Sequence, residues 1–358
     1  MTIAPAKIIT NNTPNILRLP VDLQNRLSIL YRKPDNNSQR EYLKPNSIYH
    51  GDSRLAISSI EPNSIALSIW SPPYFVGKEY EAGLSFDDWQ SLIRTVIKEH
   101  FSVIIPGGFL AINIADILCF KDASMPRLQA DVVSRKNSPI TKEDVLQAIK
   151  KHPNYKRQQL AQLLRCSEQT VDRRLNGNNI RGGKHKPQTR VKIVGGLIEE
   201  WALSAGFYPY DRRVWVKDAA WRNSRWASLS YRSVDEFEYL YIFWKPGITR
   251  YDRNRLTNNE WKDWGSRGVW KFPSVRINDI HEAMFPIELP QRAIRLLTDS
   301  GDTVLDPFMG SGTTAIAAMR TNRNYIGIEF QKKAVETALK RILKEREENG
   351  NRPPLFDR

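Results

Sequence analysis

Cysteine is nearly absent: Cys119 and Cys166 are the only two in 358 residues, too few for a disulfide framework or a thiolate metal cluster. A reducing cytoplasm fits that count. No apolar run approaches the roughly 20 residues that a membrane span needs, and the N-terminal MTIAPAKIITNNTPN lacks the basic start and apolar core of a secretory signal. There is no internal repeat. Acidic residues are outnumbered, 39 Asp+Glu against 54 Lys+Arg, which leaves a net charge of +15. What is present is an ordinary globular composition, 41% hydrophobic and 26% charged, in a chain long enough to bury a sizeable core.

The positive charge is local. Residues 121–270 hold 29 Lys+Arg against 16 Asp+Glu, together with eight of the ten tryptophans, and the other 208 residues are close to neutral. A basic, aromatic-rich stretch beside a near-neutral remainder suits a phosphate-backbone partner. The plainer reading is a solvated basic face around core tryptophans.

Residues 1–46 are Asn- and Pro-rich and read as an arm with a short helix near Val21–Tyr31. Order begins at Ser47. Ser64–Trp70 is an apolar run of buried-strand length, ended by Pro72-Pro73; Trp89–Phe101 has helical spacing, and Gly107-Gly108 turns into a second buried strand, Phe109–Ile114. This strand, helix, strand rhythm argues for a parallel sheet covered by helices. It breaks at 117–190. There Thr141–Lys150 opens with a T-x-x-D cap, and Arg157–Gly177 reads as two short helices, with Leu160, Leu163 and Leu164 facing Val171 and Leu175 and with Ser167 capping the second. The pair resembles a helix-turn-helix that exposes Gln169, Arg173 and Arg174, followed by a basic loop, GNNIRGGKHKP. A plain structural hairpin gives the same pattern. The sheet rhythm resumes at Lys192, with a helix over Leu197–Leu203, strands at Arg213–Lys217 and Phe237–Trp244, and a Trp/Arg-rich excursion between those strands. Beyond a stretch at 246–280 without periodicity, Leu289–Leu297 and Thr313–Arg320 read as helices, and Thr303–Leu305 and Tyr325–Ile328 as strands. A last amphipathic helix carries Val335, Leu339, Ile342 and Leu343 on one stripe.

Two motifs carry chemistry. Asp306-Pro-Phe-Met-Gly-Ser-Gly-Thr-Thr314 is a glycine-rich strand-to-helix turn, which lets a ligand approach the backbone and the helix N-terminus. Glu329 ends the next strand, where a carboxylate can bind ribose hydroxyls. The spacing is not G-x-G-x-x-G and there is no Walker lysine; with Asp306 at the strand end, the turn suits a cationic nucleoside better than a pyrophosphate. The second motif, Ser71-Pro72-Pro73-Tyr74, lies at the carboxyl end of a strand, where open α/β sheets bind ligands. Two prolines remove two N–H donors, so the turn presents acceptors, the Ser71 hydroxyl and the Pro72 carbonyl, beside the flat face of Tyr74. Such a site suits an exocyclic amino group on a stacked base.

Ser71–Tyr74 and Asp306–Thr314 resemble the catalytic SPPY motif and the cofactor-binding DPFxGSGTT motif of amino-directed, S-adenosylmethionine-dependent DNA methyltransferases, in the order of the permuted β group. The likeness extends to His281–Pro290 and Gly206–Lys217 and covers roughly 47–118 and 191–345. It implies a Rossmann-like α/β methyltransferase sheet, mostly parallel with one antiparallel strand, plus a small helix-turn-helix-like insertion. The organisation expected is an arm at 1–46, a catalytic half at 47–118, a basic helical insertion at 119–190 as candidate target-recognition region, and more methyltransferase domain at 191–245. A second, Trp-rich candidate target-recognition segment follows at 246–280, then a cofactor-binding half at 281–345 and a tail at 346–358.

The resemblance also implies cofactor contacts at Asp306, Phe308, Gly310, Ser311, Gly312 and Thr313, a ribose carboxylate at Glu329, flanking contacts at Phe285 and Pro286, and Asp52 of HGDSR near the cofactor adenine. DNA contacts are expected at Gln169, Arg173 and Arg174, and no metal. Serine at the first motif position is associated with N4-cytosine in this family, aspartate or asparagine with N6-adenine. The activity expected is therefore methyl transfer from S-adenosylmethionine to N4 of a flipped cytosine in double-stranded DNA, in the cytoplasm, by a solitary methylase or by the modification part of a restriction-modification system whose endonuclease acts separately. C5-cytosine methylation is disfavoured, because neither cysteine lies in a Pro-Cys turn. N6-adenine methylation, an RNA substrate and an inert DNA-binding regulator remain as alternatives.

Overall fold

The computed structural model describes residues 42–73, 85–115, 117–122, 139–176, 188–218, 236–275 and 285–350. The expected helix at Val21–Tyr31, Tyr74, the loop at 177–187, the Trp/Arg-rich excursion from 219 onward, His281–Met284 and the last eight residues lie outside these. The described residues form two compact units.

The larger unit is built on an eight-stranded sheet. Its strands are β1 (Ser47–His50), β2 (Ile65–Trp70), β3 (Ile104–Ile114), β6 (Tyr208–Val216), β7 (Phe237–Trp244), β8 (Val269–Lys271), β9 (Thr303–Asp306) and β10 (Asn324–Glu329), and they lie in the order β1-β10-β9-β2-β3-β7-β6-β8. From β1 to β3 across the sheet the strands run parallel, and β7 alone is reversed, pairing antiparallel with both β3 and β6. That is the mostly parallel sheet with one antiparallel strand expected above. β2, IALSIW, is buried at all six positions, as a central strand covered on both faces must be. Leu67 and Ile69 face one core and Trp70 the other, and an irregularity in register between Ile65 and Leu67 puts Ile65 in the same core as Trp70.

Helices cover both faces. α1 (Ser53–Ala56), α2 (Phe86–Val103) and α6 (Gly195–Ala205) pack with Trp70, Leu110 and Ile326. α8 (Glu288–Leu297), α9 (Thr313–Arg320) and α10 (Lys332–Gly350) pack with Leu67, Ala111 and Val304, and α10 buries the expected Val335, Leu339 and Ile342. α2 starts at a capping box in which Ser85 accepts from the Asp88 amide at 3.1 Å. Its buried His100 lies with Nε2 2.8 Å from the Ser68 hydroxyl in β2 and Nδ1 2.6 Å from the Val96 carbonyl. Burial lowers its pKa to about 4.

The stretch at 246–280, which has no sequence periodicity, nevertheless has structure. α7 (Asn258–Glu260) runs into a π turn over Trp261–Gly265, and β8 closes the sheet edge. Trp264 and Trp270 are buried in the core with Trp215, and Trp201 is buried on the opposite face, so most of the described tryptophans of the basic region serve packing. Arg292 of α8 lies over the rings of Trp264, Trp270 and Phe272 at 5.4, 5.6 and 5.0 Å, and Arg295 pairs with Glu260, whose carboxyl it holds down at about 2. Trp261 stays exposed.

The smaller unit contains α3 (Lys142–Lys151), α4 (Arg157–Leu163) and α5 (Glu168–Asn176); a two-stranded ribbon of β4 (Ile117–Asp122) and β5 (Gln188–Ile193) leads in and out. Both expected caps form: Thr141 accepts from the Asp144 amide at 3.1 Å and Ser167 from the Thr170 amide at 3.2 Å. Its core is Val145, Ala148, Leu160, Ala161 and Val171, with Leu164 and Leu175 packed against it. Leu163 does not join it and is 47% exposed. Val145 and Ala148 of α3 cluster with Leu160 and Ala161 of α4 in its place.

Candidate active site

Both chemistry-bearing turns leave the carboxyl edge of adjacent parallel strands. β2 and β9 pair through Leu67↔Val304 and Ser68↔Leu305, so Ser71 and Pro307, the first residues beyond each strand, emerge side by side. The turns also touch: the Trp70 ring lies 5.2 Å from the Phe308 ring, tilted by 60°.

The Ser-Pro-Pro turn is held from two sides. Trp89 of α2 donates its indole N–H to the Pro73 carbonyl at 2.8 Å, and Asn113 of β3 donates from Nδ2 to Ser71 Oγ at 3.1 Å. The same Nδ2 donates to Glu238 Oε2 of β7 at 2.6 Å, and Lys217 Nζ pairs with Glu238 Oε1 at 2.6 Å. Among the described residues nothing donates to the Pro72 carbonyl. The sequence reading missed Trp89, Asn113, Glu238 and Lys217 as site residues. A signal existed for two of them, since Asn113 and Glu238 are polar residues inside the apolar strands FLAINI and FEYLYIFW.

In the glycine-rich turn, Asp306 is buried with both oxygens engaged: Oδ1 accepts from the Phe308 amide at 2.9 Å and Oδ2 from the Thr314 hydroxyl at 2.6 Å. Burial pushes its carboxyl up to about 7 against those hydrogen bonds, and the Glu329 carboxylate pushes in the same direction. Glu329 accepts from the Gly310 amide at 2.8 Å and the Gln331 amide at 2.7 Å. The two glycines differ. A Cβ on Gly310 (φ +54°) meets only the Phe308 carbonyl oxygen, at 3.8 Å, so the turn leaves open space there; a Cβ on Gly312 (φ +87°) lies 3.0 Å from Ala338 Cβ of α10. Gly310 is therefore open to a ligand and Gly312 serves packing. Arg341 of α10 supports the turn from behind, donating to the Ser311 carbonyl and hydroxyl, both at 2.7 Å, and to Thr313 Oγ1 at 3.3 Å.

Asp52 lies just beyond β1, beside β10, where the Gly51 amide donates to the Glu329 carbonyl at 3.0 Å. Its carboxylate caps α1 and pairs with Arg54 at 2.5 Å. Phe330, next to Glu329, is 72% exposed. Phe285 packs on the α8 side of the core, and the Pro286 carbonyl accepts from Leu289 at the start of α8. Thus Ser71, Asp306, Phe308, Gly310, Glu329 and Asp52 share one sheet edge. An open cradle at Gly310 beside the Glu329 carboxylate fits a cationic nucleoside.

In the smaller unit, Gln169 and Arg173 are exposed as expected. Arg174 is not: half-buried, it donates from Nε to the Ile140 carbonyl at 2.6 Å and ties α5 to the approach to α3. Its bond to Ile140 joins residues 34 apart, which the local helical pattern does not show.

The fold and this edge define an α/β enzyme with a nucleoside-type site. Residues 65–340 match the DNA methylase family of N6 and N4 methyltransferases, and the chain belongs to that family. It is 55% identical over 305 residues to the type II methyltransferase M.BglI of Bacillus subtilis, covering 85% of this chain and 88% of that protein. To M.Cfr9I, a type II methyltransferase of Citrobacter freundii, identity is 26% over 307 residues, with 83% and 87% covered. Among solved structures, the fold is similar to a DNA modification methylase of Thermus thermophilus, TTHA0409, complexed with S-adenosyl-L-methionine, at a TM-score of 0.53, 22% identity and coverage of 83% and 93%. It is also similar to the cytosine-N4-specific PvuII DNA methyltransferase, at a TM-score of 0.51, 18% identity and coverage of 89% and 98%.

Proposed function

We propose that this DNA methyltransferase transfers a methyl group from S-adenosylmethionine to N4 of a cytosine flipped out of double-stranded DNA. The observation that carries the reading is the meeting of two turns at one sheet edge, the acceptor-rich Ser71-Pro72-Pro73 and the open Gly310 turn, joined through Trp70 and Phe308. The motif order is that of the permuted β group.

When bound, S-adenosylmethionine would supply an electrophilic sulfonium methyl to the amine lone pair, with sulfur keeping the C–S electron pair and the amine's surplus proton passing to solvent. Glu329 holds the ribose hydroxyls, and the exposed Phe330 ring offers a face to the adenine, near Asp52. Asp306 and Arg341 act one step removed, by holding the turn that contains Phe308, Gly310, Ser311 and Thr313. Phe285 and Pro286 flank the cofactor. The cytosine amine is a weak nucleophile because its lone pair is delocalised into the ring. Ser71 Oγ and the Pro72 carbonyl take its N–H groups and favour a pyramidal nitrogen, and Tyr74 stacks on the base, a contact worth about 1–3 kcal/mol against the cost of flipping.

Gln169 and Arg173 contact DNA from the smaller unit, and the exposed basic groups of 246–275 form a second candidate contact. Serine at position 71 favours cytosine over adenine. The type II designation of M.BglI supports the modification role of a restriction-modification pair, with a separate endonuclease and a cytoplasmic site of action. Transfer of labelled methyl from S-adenosylmethionine to duplex DNA, RNA and free nucleoside tests the reading. Label in duplex DNA only, lost in Ser71→Ala, is expected; label in RNA alone, or in no acceptor, would refute it.

A further inference from the structure

Three polar side chains lie behind Ser71, two of them in strands that are otherwise apolar. Asn113 is fully buried near the end of β3, Glu238 is 7% exposed near the start of β7, and Lys217 follows β6. Strand pairing does not require them, since the backbone register Asn113↔Leu240 and Trp215↔Glu238 is indifferent to the side chains. Burying an amide against an ion pair costs stability that apolar residues of similar volume would not. From Lys217 through Glu238 to Asn113, the contacts lead to Ser71.

The direction of these bonds follows from charge. Lys217 Nζ meets Glu238 Oε1 at 2.6 Å, and a carboxylate offers only lone pairs, so Asn113 must turn its NH2 toward Oε2, also at 2.6 Å. The opposite amide orientation would set Asn113 Oδ1 against the carboxylate. With Nδ2 so placed, its second hydrogen reaches Ser71 Oγ at 3.1 Å. Asn113 Oδ1 is left buried without a hydrogen-bond partner among the described residues. An orphaned acceptor is what a fold tolerates when the other end of the amide is constrained.

We propose that Asn113, locked by the Glu238–Lys217 pair, is a positioning residue that sets the polarity of Ser71. Ser71 Oγ receives a hydrogen bond from the protein on one lone pair. Its second lone pair is left for the target amine, and its own proton is directed away from Asn113. This inference rests on the reading of Ser71 as the residue that meets the amine.

The test is steady-state methyl transfer by the full chain, with S-adenosylmethionine affinity measured by calorimetry for each variant. Asn113→Asp keeps the size but replaces the donor by an acceptor; it should lower kcat on the order of 10²-fold while KM for DNA and cofactor affinity stay within about twofold. Glu238→Gln, which frees the amide to turn, should lower kcat about tenfold. Added to Ser71→Ala, Asn113→Asp should cost little more, because its route of action is already gone. Wild-type kcat in Asn113→Asp beside an impaired Ser71→Ala would overturn the proposal. So would a loss of cofactor affinity in step with kcat, or an equal loss in both backgrounds, since either marks a merely structural residue. If Asn113→Asp does not fold, Glu238→Gln decides by the same criteria. Wild-type kcat in Ser71→Ala would instead refute the underlying reading of Ser71.

Discussion

The Trp70 ring rests 5.2 Å from the Phe308 ring, and through this contact the residue before Ser71 touches the turn that contains Gly310. Two segments far apart in the chain thereby share one packing contact at the sheet edge. Phe308→Ala removes it. We expect a loss of about 2 kcal/mol of stability, less than for a fully buried ring, together with weaker cofactor binding and lower kcat. Denaturant unfolding and calorimetry check the two parts, and Phe308→Leu should be milder in both.

The two glycines of the turn predict different phenotypes. Gly310→Leu should cost about 1–2 kcal/mol through its own positive φ yet leave a folded protein that no longer binds S-adenosylmethionine, because the side chain enters open space at the turn. Gly312→Ala should destabilise the fold by about 1–3 kcal/mol, from its positive φ and its approach to Ala338. Thermal melts alongside calorimetry separate them. Undiminished cofactor affinity in folded Gly310→Leu would remove this turn from the site.

His100 gives the fold an acid-sensitive term. Its pKa is about 4 when folded against 6.5 ordinarily, so the unfolded chain takes up a proton first as pH falls. Its contribution is present above pH 6.5 and is lost between 6.5 and about 4, to a total of roughly 3 kcal/mol. Urea unfolding across that range should show the decline, and His100→Gln should flatten it.

Much of this architecture is legible in the sequence, for identifiable reasons. Phe237–Trp244 and Thr313–Arg320 are read to the residue because each is bounded by clear turn residues. β3 is read short, since Pro106-Gly107-Gly108 signals a turn where the strand already begins at Ile104. β8 and the β4–β5 ribbon are missed because VWK, ILCFKD and QTRVKI lie in polar, basic stretches where no apolar run stands out. The tryptophans of the basic region read as a nucleic-acid signal, yet Trp201, Trp215, Trp264 and Trp270 are core; composition cannot tell an exposed ring from a buried one. Ser71 and Asp306 are legible as local motifs. Asn113 and Glu238 stand out only as polar residues in apolar strands; their role is not legible, because their hydrogen bond joins residues 125 apart and exists only through strand pairing.

The smaller unit separates structural from DNA-facing arginines. Arg174→Ala should destabilise that unit by about 1.5–3 kcal/mol through loss of its bond to Ile140. Arg173→Ala should leave stability unchanged and lower the salt slope of DNA binding by about one. Hydrogen exchange and salt-dependent binding isotherms measure the two. An unchanged slope in Arg173→Ala with Gln169→Ala would move DNA recognition to the exposed basic groups of 246–275.

The identity of the methylated nucleoside decides whether Ser71 presents its acceptor to the amine of cytosine. Duplex DNA incubated with the protein and S-adenosylmethionine, digested to nucleosides and resolved by mass spectrometry, should contain N4-methyldeoxycytidine, and the Ser71→Ala reaction should not. N6-methyldeoxyadenosine or 5-methyldeoxycytidine as the sole product would contradict the account.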